Sequence, residues 1–211
     1  MIGNLRAIWI LYVGIKNAFV LFIATLLFSC SVFSPVKTEP VNTYVLNTIP
    51  QPITKYSPQH INLLITQPTG NSLYSTSQMV YSDRPYQVAY FVKNRWAESP
   101  IKMLQLLMVR TLQNTHYFYA VNSVPAMGNY NYVLNTQLIE LRQVFAMHRS
   151  YLHLTIRVQV INVATNQVIG RREFSIIEPV PQASPYGGVI AANRAMAKFL
   201  KQLSNFCLQV I

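Results

Sequence analysis

Acidic residues are scarce in this sequence: 6 Asp and Glu occur among 211 residues, against 17 Lys and Arg. The six carboxylates are scattered, and no two have a spacing that would pair them on one face of a helix or strand. A catalytic carboxylate pair, in which one group acts as acid and the other as base, therefore has no support. The carboxylates are Glu39, Asp83, Glu98, Glu140, Glu173 and Glu178.

Metal-binding and nucleotide-binding signatures are also absent. The 4 histidines include one near pair, His148 and His153, whose odd separation would put them on opposite faces of a strand. None of the 7 glycines belongs to a phosphate-binding loop, and neither a nucleophile elbow nor a zinc-protease motif occurs. These absences predict a protein that is not an enzyme and holds no metal or cofactor.

Cysteine is nearly absent, with Cys30 and Cys207 as the 2 thiols of the chain. If Cys30 carries a lipid, Cys207 has no partner within the chain, so a disulfide framework is not the source of stability. We expect Cys207 to be a small buried hydrophobe on a helix.

The charge balance is strongly basic, with a formal net charge of +11. Such a field favours anionic partners such as nucleic acid, anionic lipid headgroups or an acidic protein. The basic residues are dispersed, however, and Arg171 and Arg172 form the only adjacent pair. Nucleic-acid binding usually needs a concentrated basic patch, so it is not predicted.

The N-terminal segment has the pattern of a lipoprotein signal. Positive charge precedes an apolar stretch at 18–28, which is shorter than the roughly 20 residues that a spanning helix needs. The sequence LFSC at 27–30 resembles a lipobox, although Phe28 replaces the usual small residue. We predict cleavage after Ser29 and acylation of Cys30. The alternative is an uncleaved anchor in the inner membrane, which would bury Lys16 at a cost of about 2.5–3.5 kcal/mol.

The predicted domains are a signal peptide at 1–29, a lipid-anchored tether at 30–58 and a single domain at 59–211. Prolines recur through the tether, which is typical of an extended linker, and it includes a short strand candidate at 43–46. The sequence alternation predicts further strands at 61–66, 78–81, 86–92, 117–121, 130–145, 151–161 and 168–177.

Two helices complete the predicted domain, one at 100–114 and one at 187–206, each with an apolar face at helical spacing. The strand at 151–161 alternates apolar and polar residues and should form an antiparallel hairpin with 168–177. The long strand at 130–145 changes parity, which predicts a β-bulge near Leu138. The order of elements indicates an α+β fold in which two helices pack on one face of an antiparallel-rich sheet.

The segment before the first helix holds the candidate partner-binding residues Tyr90, Arg95 and Trp96. Tyr, Arg and Trp dominate the energetics of protein interfaces, which favours a recognition patch. The alternative is that Trp96 is a structural anchor that covers the turn from strand to helix, with Arg95 in solvent.

Five segments of the chain together carry a family resemblance, namely YVL at 44–46, MVYSDRPYQVAYFVKNRWAESP at 79–100, LQNTHYF at 112–118, YVLNTQLIEL at 132–141 and PYGGVIAANRAMAKFL at 185–200. They resemble the ABC-type transport auxiliary lipoproteins, a family that includes the paraquat-inducible protein C group. The resemblance covers about 44–206 and implies an outer-membrane lipoprotein that faces the periplasm and has a domain similar to the N-terminal domain of TolB.

The resemblance also implies partners: a mammalian-cell-entry (MCE) domain protein and the ABC permease of the same lipid transport system. The chain would then dock this system at the outer membrane, as a monomer or as a homo-oligomer, and Ser31 after Cys30 favours the outer membrane. Two other functions remain open. The domain could carry a lipid between its helices and sheet, or it could be a lipopolysaccharide-assembly subunit whose Arg157, Arg171 and Arg172 face anionic sugars.

Overall fold

A computed structural model provides the structure of the protein. The chain divides into two compact units, Met1–Glu39 and Pro40–Ile211. No helix among the described residues is long and apolar enough to cross a membrane. The predicted cleavage and acylation residues, Ser29 and Cys30, lie outside the described residues, as does His148. The structure describes residues 9, 12, 14–19, 22, 40–51, 57–126, 128–147 and 149–211.

The described residues of the second unit form nine strands, two long helices and one short 3₁₀ helix at Ser72–Tyr74. The helices are α1 (Pro100–Gln113) and α2 (Pro185–Val210). The strands are β1 (Asn42–Tyr44), β2 (Gln59–Ile65), β3 (Thr69–Gly70), β4 (Gln78–Ser82), β5 (Ala89–Trp96), β6 (Phe118–Ser123), β7 (Tyr132–Ala146), β8 (Arg149–Asn162) and β9 (Gln167–Pro179).

The central strand of the sheet is β7. One of its edges pairs with β8 along its whole length in the antiparallel direction. The other edge pairs in parallel with three short strands in succession, namely β2 near Tyr132, β3 near Gln137 and β4 near Gln143. The sheet therefore has two separate branches beyond this edge: β2 continues to β6 at the start of β7, and β4 continues to β5 and β1 at its end.

Strands β7, β8 and β9 form the antiparallel part of the sheet, and the predicted hairpin of β8 with β9 is confirmed. The register of β7 against β8 shifts between Leu138 and Glu140. This shift is the bulge that the parity change predicts, since an extra residue turns the apolar side chains after it back to the same face.

Both helices lie on one face of the sheet and contact each other, as expected for the α+β class. Alternate residues of β8 point toward them and are almost fully buried, as are the residues of α2 that meet them. Phe174 of β9 packs edge-on against Phe199 of α2, with 5.4 Å between ring centroids. Burial of each such side chain stabilises the fold by about 1.5–3 kcal/mol. The buried β8 residues are Leu152, Leu154, Ile156, Val158 and Val160.

The folded unit begins earlier in the chain than the predicted residue 59. Strand β1 pairs in parallel with β5, and Leu46 belongs to the hydrophobic core. The amide of Asn193 on α2 donates to the carbonyl of Val45 at 3.0 Å, and its oxygen accepts from the backbone of Asn47 at 3.0 Å. Residues 40–51 are thus attached to the sheet and to α2. The sequence predicts a tether here because the segment contains prolines.

Strand β5 lies three residues later than predicted. Tyr86 adopts a positive φ of 64° in the turn after β4, so the alternation that begins at Tyr86 is not that of a strand. The pairing of β4 with β5 is also irregular, because Val80 lies opposite Tyr90 whereas Gln78 lies opposite Arg95. This bulge in β5 changes which of its side chains face the core.

Candidate functional site

The three predicted site residues all lie on β5, but their environments differ. Trp96 is 4% exposed and belongs to the hydrophobic core, where it borders a small cavity with Met79 and Leu152. Its backbone N–H donates to the carbonyl of Ser77 at 2.8 Å. Trp96 therefore has the burial expected of the structural-anchor alternative.

Tyr90 and Arg95 lie at opposite ends of β5 and are accessible to solvent. Tyr90 is 36% exposed and lies opposite Val80. Arg95 is exposed, and its Nε donates to the hydroxyl of Thr43 on β1 at 3.3 Å. These two side chains are available for contact with a partner, whereas the indole of Trp96 is not.

The face of the sheet away from the helices, here called the open face, carries a network of polar side chains. Arg157 on β8 forms an ion pair with Glu173 on β9 at 2.7 Å and donates to Gln137 on β7 at 3.4 Å. With its amide oriented to accept, Gln159 receives two hydrogen bonds of 2.9 Å from Arg171. The open face therefore presents guanidinium and amide groups to a polar or anionic partner.

A second ionic group lies further along the same face. Arg142 donates to a carboxylate oxygen of Glu140 at 2.6 Å, and His153 Nδ1 lies 3.9 Å from that oxygen. Arg142 also donates to the hydroxyl of Ser82 at 3.1 Å, which connects the end of β4 to β7. The group contains a single carboxylate, so it does not form a carboxylate dyad.

A cavity with a volume of about 660 Å³ lies where β7 begins and β8 ends. Its wall at 128–131 is fixed by Asn62, whose backbone N–H donates to Asn131 Oδ1 at 2.8 Å and whose amide donates to the carbonyl of Asn129 at 3.1 Å. The buried hydroxyl of Tyr130 lines this cavity without a hydrogen-bond partner among the described residues. The remaining lining residues are Ile61, Leu64, Gly128, Tyr132, Val133, Asn162, Val163 and Ala164.

The lining of this cavity combines apolar and amide groups and includes no charged side chain. It therefore suits an amphiphilic molecule and does not select for a charge on it. Sequence reasoning missed the cavity because its residues come from three distant segments of the chain. The signal that could have found it is the alternation of Asn and Tyr at 129–132, which puts hydrogen-bonding and aromatic side chains together at the start of a strand.

A second cavity of about 430 Å³ lies on the open face, and all of its lining residues have polar side chains. The backbone N–H of Thr66 donates to the carbonyl of Leu134, and the next residues paired with β7 are Thr69 with Gln137. Between these two contacts the segment that connects β2 to β3 is not paired with β7, and the cavity lies beside this gap. The lining residues are Thr66, Gln67, Thr69, Asn135, Thr136, Gln137, Arg157 and Gln159.

Burial shifts the pKa of two groups among the described residues, Cys207 and Tyr74. Burial raises the pKa of the Cys207 thiol to about 12, so this cysteine is a poor nucleophile. Burial is also the main cause of the raised pKa of Tyr74. Within the described part of the chain, no group of three or more His, Cys, Asp and Glu side chains could hold a metal ion.

Comparisons with known proteins identify relatives of this fold. A family model described as "ABC-type transport auxiliary lipoprotein component" matches residues 44–204. A protein of the DUF330 family from Xanthomonas campestris has a similar structure, with a TM-score of 0.74, 15% identity, and coverage of 80% of this chain and 96% of that chain. The structure of an uncharacterised protein is also similar, with a TM-score of 0.65, 14% identity, and coverage of 79% of this chain and 98% of that chain. No curated protein matches the sequence.

Proposed function

Because the chain belongs to the ABC-type transport auxiliary lipoprotein component family, we propose that it docks an MCE-type lipid transport system at the outer membrane. The observation that carries the proposal is the family match over residues 44–204, which spans the sheet and most of α2. The chain would act without catalysis and would bind the MCE-domain protein and, through it, the ABC permease. The transported molecule would be a phospholipid or another hydrophobic compound.

The proposal includes attachment of the chain to the periplasmic face of the outer membrane through acylated Cys30. The LFSC sequence at 27–30 supports acylation, and Ser31 in place of an aspartate supports transfer to the outer membrane. One acyl chain binds a membrane only marginally, so the several chains of a bacterial lipoprotein would be needed for stable attachment.

Acylation can be tested by feeding cells a labelled fatty acid and comparing two cysteine variants. Cys30→Ala should abolish incorporation, whereas Cys207→Ala should retain it because that thiol is buried. The mass of the mature N-terminus gives an independent answer. An intact Met1 would contradict lipoprotein processing and support the uncleaved inner-membrane anchor.

Docking is tested by crosslinking whole cells and purifying the chain from membranes. An MCE-domain protein should co-purify with the native chain. Reversal of a charge on the open face, for example by Arg171→Glu, should lower the amount of this protein that is recovered. A matched control is Arg110→Glu on α1, since Arg110 lies on a helix and away from the open face. Repeated failure to recover any MCE-domain protein would refute the docking role.

The cavity at the start of β7 favours a second candidate function, that of a lipid carrier. Its volume of about 660 Å³ lies within the range of roughly 300–1,000 Å³ found for small-molecule pockets. The carrier hypothesis places the lipid between the helices and the sheet, but side chains such as Phe199 and Leu203 fill that space. Native mass spectrometry that detects no lipid on the purified chain would exclude the carrier function.

A further inference from the structure

One end of the sheet exposes large apolar side chains on two adjacent turns. Tyr86 in the turn between β4 and β5 is completely exposed, and Met147 in the turn between β7 and β8 is 98% exposed. Val88 beside the first turn is also exposed. We call these three side chains the apolar tip. Single exposed hydrophobic residues are ordinary, but a group at one end of a molecule marks an interaction site.

The topology of the sheet places the two turns together. Strand β4 runs parallel to β7, with Ser82 opposite Val144, so both strands end at the same edge. The turn after β4 and the turn after β7 are therefore neighbours. Because β5 runs antiparallel to β4, it begins at this same end.

The first turn is held in a defined conformation. The hydroxyl of Ser82 donates to the carbonyl of Gln87 at 2.5 Å and accepts from Arg142 at 3.1 Å. Tyr86 adopts φ 64°, a left-handed conformation that L-residues other than Asn and Asp rarely take. These bonds fix the backbone on both sides of Tyr86 and leave its ring in solvent.

An aromatic cluster packs between β4, β5 and β7, next to the two turns that carry the tip. Tyr81 stacks on Phe91 with 4.5 Å between ring centroids, and Phe145 meets both rings edge-on at 5.8 and 6.3 Å. These three rings join β4, β5 and β7 directly behind the two turns. The apolar tip is thus presented by a rigid base.

Basic residues surround the apolar tip. Arg84 lies in the first turn and Arg149 directly follows the second, against the single carboxylate of Asp83 in the described residues of this end. Aromatic and apolar side chains with flanking Lys and Arg are characteristic of surfaces that lie in the interface of an anionic bilayer. The charge complements lipid phosphates.

The direction of β1 favours a lipid surface as the partner. Strand β1 runs parallel to the last residues of β5, with Asn42 opposite Asn94, so residues 40 and 41 lead from β1 toward the end of the sheet that carries the tip. The residues from Cys30 to Pro40 reach at most about 35 Å when fully extended. An acylated Cys30 would therefore keep the tip close to the membrane, and this step rests on the lipid attachment under Proposed function.

We propose that the apolar tip inserts into the headgroup region of the membrane to which the chain is attached. The domain then has a fixed orientation, with the turns of β4 and β7 in the lipid interface. The branch that contains β2, β6 and the 660 Å³ cavity lies at the other end of β7 and points away from the bilayer.

The test uses the full mature chain in vesicles of phosphatidylethanolamine and phosphatidylglycerol. An environment-sensitive fluorophore is attached to Tyr86→Cys and, separately, to Met147→Cys. The control is Tyr119→Cys, because Tyr119 is similarly exposed but lies on β6 in the other branch. The buried Cys207 does not compete for the label.

Insertion predicts a blue-shifted emission at positions 86 and 147 and at least roughly twofold quenching by nitroxide lipids, since interfacial side chains reach about 5–10 Å into the headgroup boundary. The label at position 119 should show neither effect. Equal quenching at all three positions, or none, would overturn the proposal. A blue shift without lipid quenching would also overturn it, because the tip would then be covered by protein.

A second measurement separates insertion from the docking function and from acylation. The vesicles contain no transport partner, so the result does not depend on docking. The mass of the mature N-terminus, measured on the same sample, reports the state of Cys30 independently. The double variant Tyr86→Ser and Met147→Ser, with the reporter at Val88→Cys, should lose most of the quenching while the chain stays on the vesicles. Unchanged quenching in this variant would contradict insertion by these side chains.

Discussion

Ile176 and Ile177 are consecutive residues of β9, yet one faces the helices and is 8% exposed, and the other lies on the open face and is 60% exposed. The same contrast runs through β7, β8 and β9. On the helix side, side chains are mainly apolar and packed; on the open side, they form ion pairs and amide hydrogen bonds. The helix side thus supplies most of the buried apolar surface of the sheet, and the open side carries its solvent-accessible polar groups.

The sharpest contrast between the two sides concerns Cys207, which belongs to the buried surface of α2. Its pKa rises from 9.0 to about 12, so at pH 8 the thiolate is roughly a thousandfold rarer than on an exposed cysteine. We expect alkylation in the native state to be slower by at least this factor and to accelerate on unfolding. Native mass spectrometry after treatment with iodoacetamide measures the rate, and rapid native alkylation would contradict the burial.

The same raised pKa makes stability fall in alkali. Between about pH 9 and 12 the native thiol keeps its proton while the unfolded thiol loses it, so the stability from this group is complete below pH 9 and is lost as the pH rises to 12. Each pH unit within this window should lower the free energy of unfolding by up to about 1.4 kcal/mol. A Cys207→Val variant should show a correspondingly shallower decline in urea unfolding.

The two isoleucines offer a matched test of the two faces. Ile176→Ala should lower the free energy of unfolding by about 2–5 kcal/mol, because it leaves a cavity beneath α2. Ile177→Ala should change it by less than about 0.5 kcal/mol, because its side chain is mainly in solvent. Urea unfolding followed by circular dichroism compares them, and equal losses would mean that another surface covers Ile177.

Glu178 places a buried carboxylate on the helix side, and we expect its effect on stability to depend on its ion pair with Lys198. Its side chain is almost fully buried and accepts from Lys198 Nζ at 2.5 Å. Lys198→Met removes the partner and should destabilise the chain by about 1–3 kcal/mol, since a buried acceptor is left unsatisfied. Glu178→Gln in the Lys198→Met background should recover part of the loss; no recovery would show that the charge is not the cause.

The smallest effect is expected on the open face. Arg157 and Glu173 are each about half exposed, so their ion pair should contribute only about 0.2–1 kcal/mol. Arg157→Gln should therefore leave the thermal midpoint nearly unchanged and become indistinguishable from the native chain in high salt. A loss above 2 kcal/mol would show that this face is structural and not reserved for recognition.

Local pattern predicted the regular parts of this fold well. Three features follow from short local stretches of the sequence: the alternation of β8, the bulge after Leu138 and the apolar stripe of α1. The turn at 164–167 alone would set Arg157 opposite Arg172, and a shift of the register between Val160 and Ile161 brings it opposite Glu173 instead. That ion pair therefore depends on an irregularity of the strand pairing that the turn does not reveal.

Pairings between distant segments could not be predicted in this way. Strand β1 has only three residues and pairs with β5 about fifty residues later, so it carries no local signal beyond β-propensity. The positive φ of Tyr86 is equally invisible, because tyrosine rarely takes it and the surrounding alternation imitates a strand. For the candidate site, the burial of Trp96 depends on the bulge in β5, which the sequence does not reveal.

The arrangement of three short parallel strands along one edge of β7 governs the order in which the chain can fold. During synthesis β2 can pair with β6 and β4 with β5, but β7, which joins these pairs to each other and to β3, exists only after residues 132–146 are made. Such non-local parallel pairing slows folding and leaves strand edges exposed meanwhile. The edges of β2 and β4 that later meet β7 are therefore open during synthesis, and a holding chaperone would have its longest opportunity there.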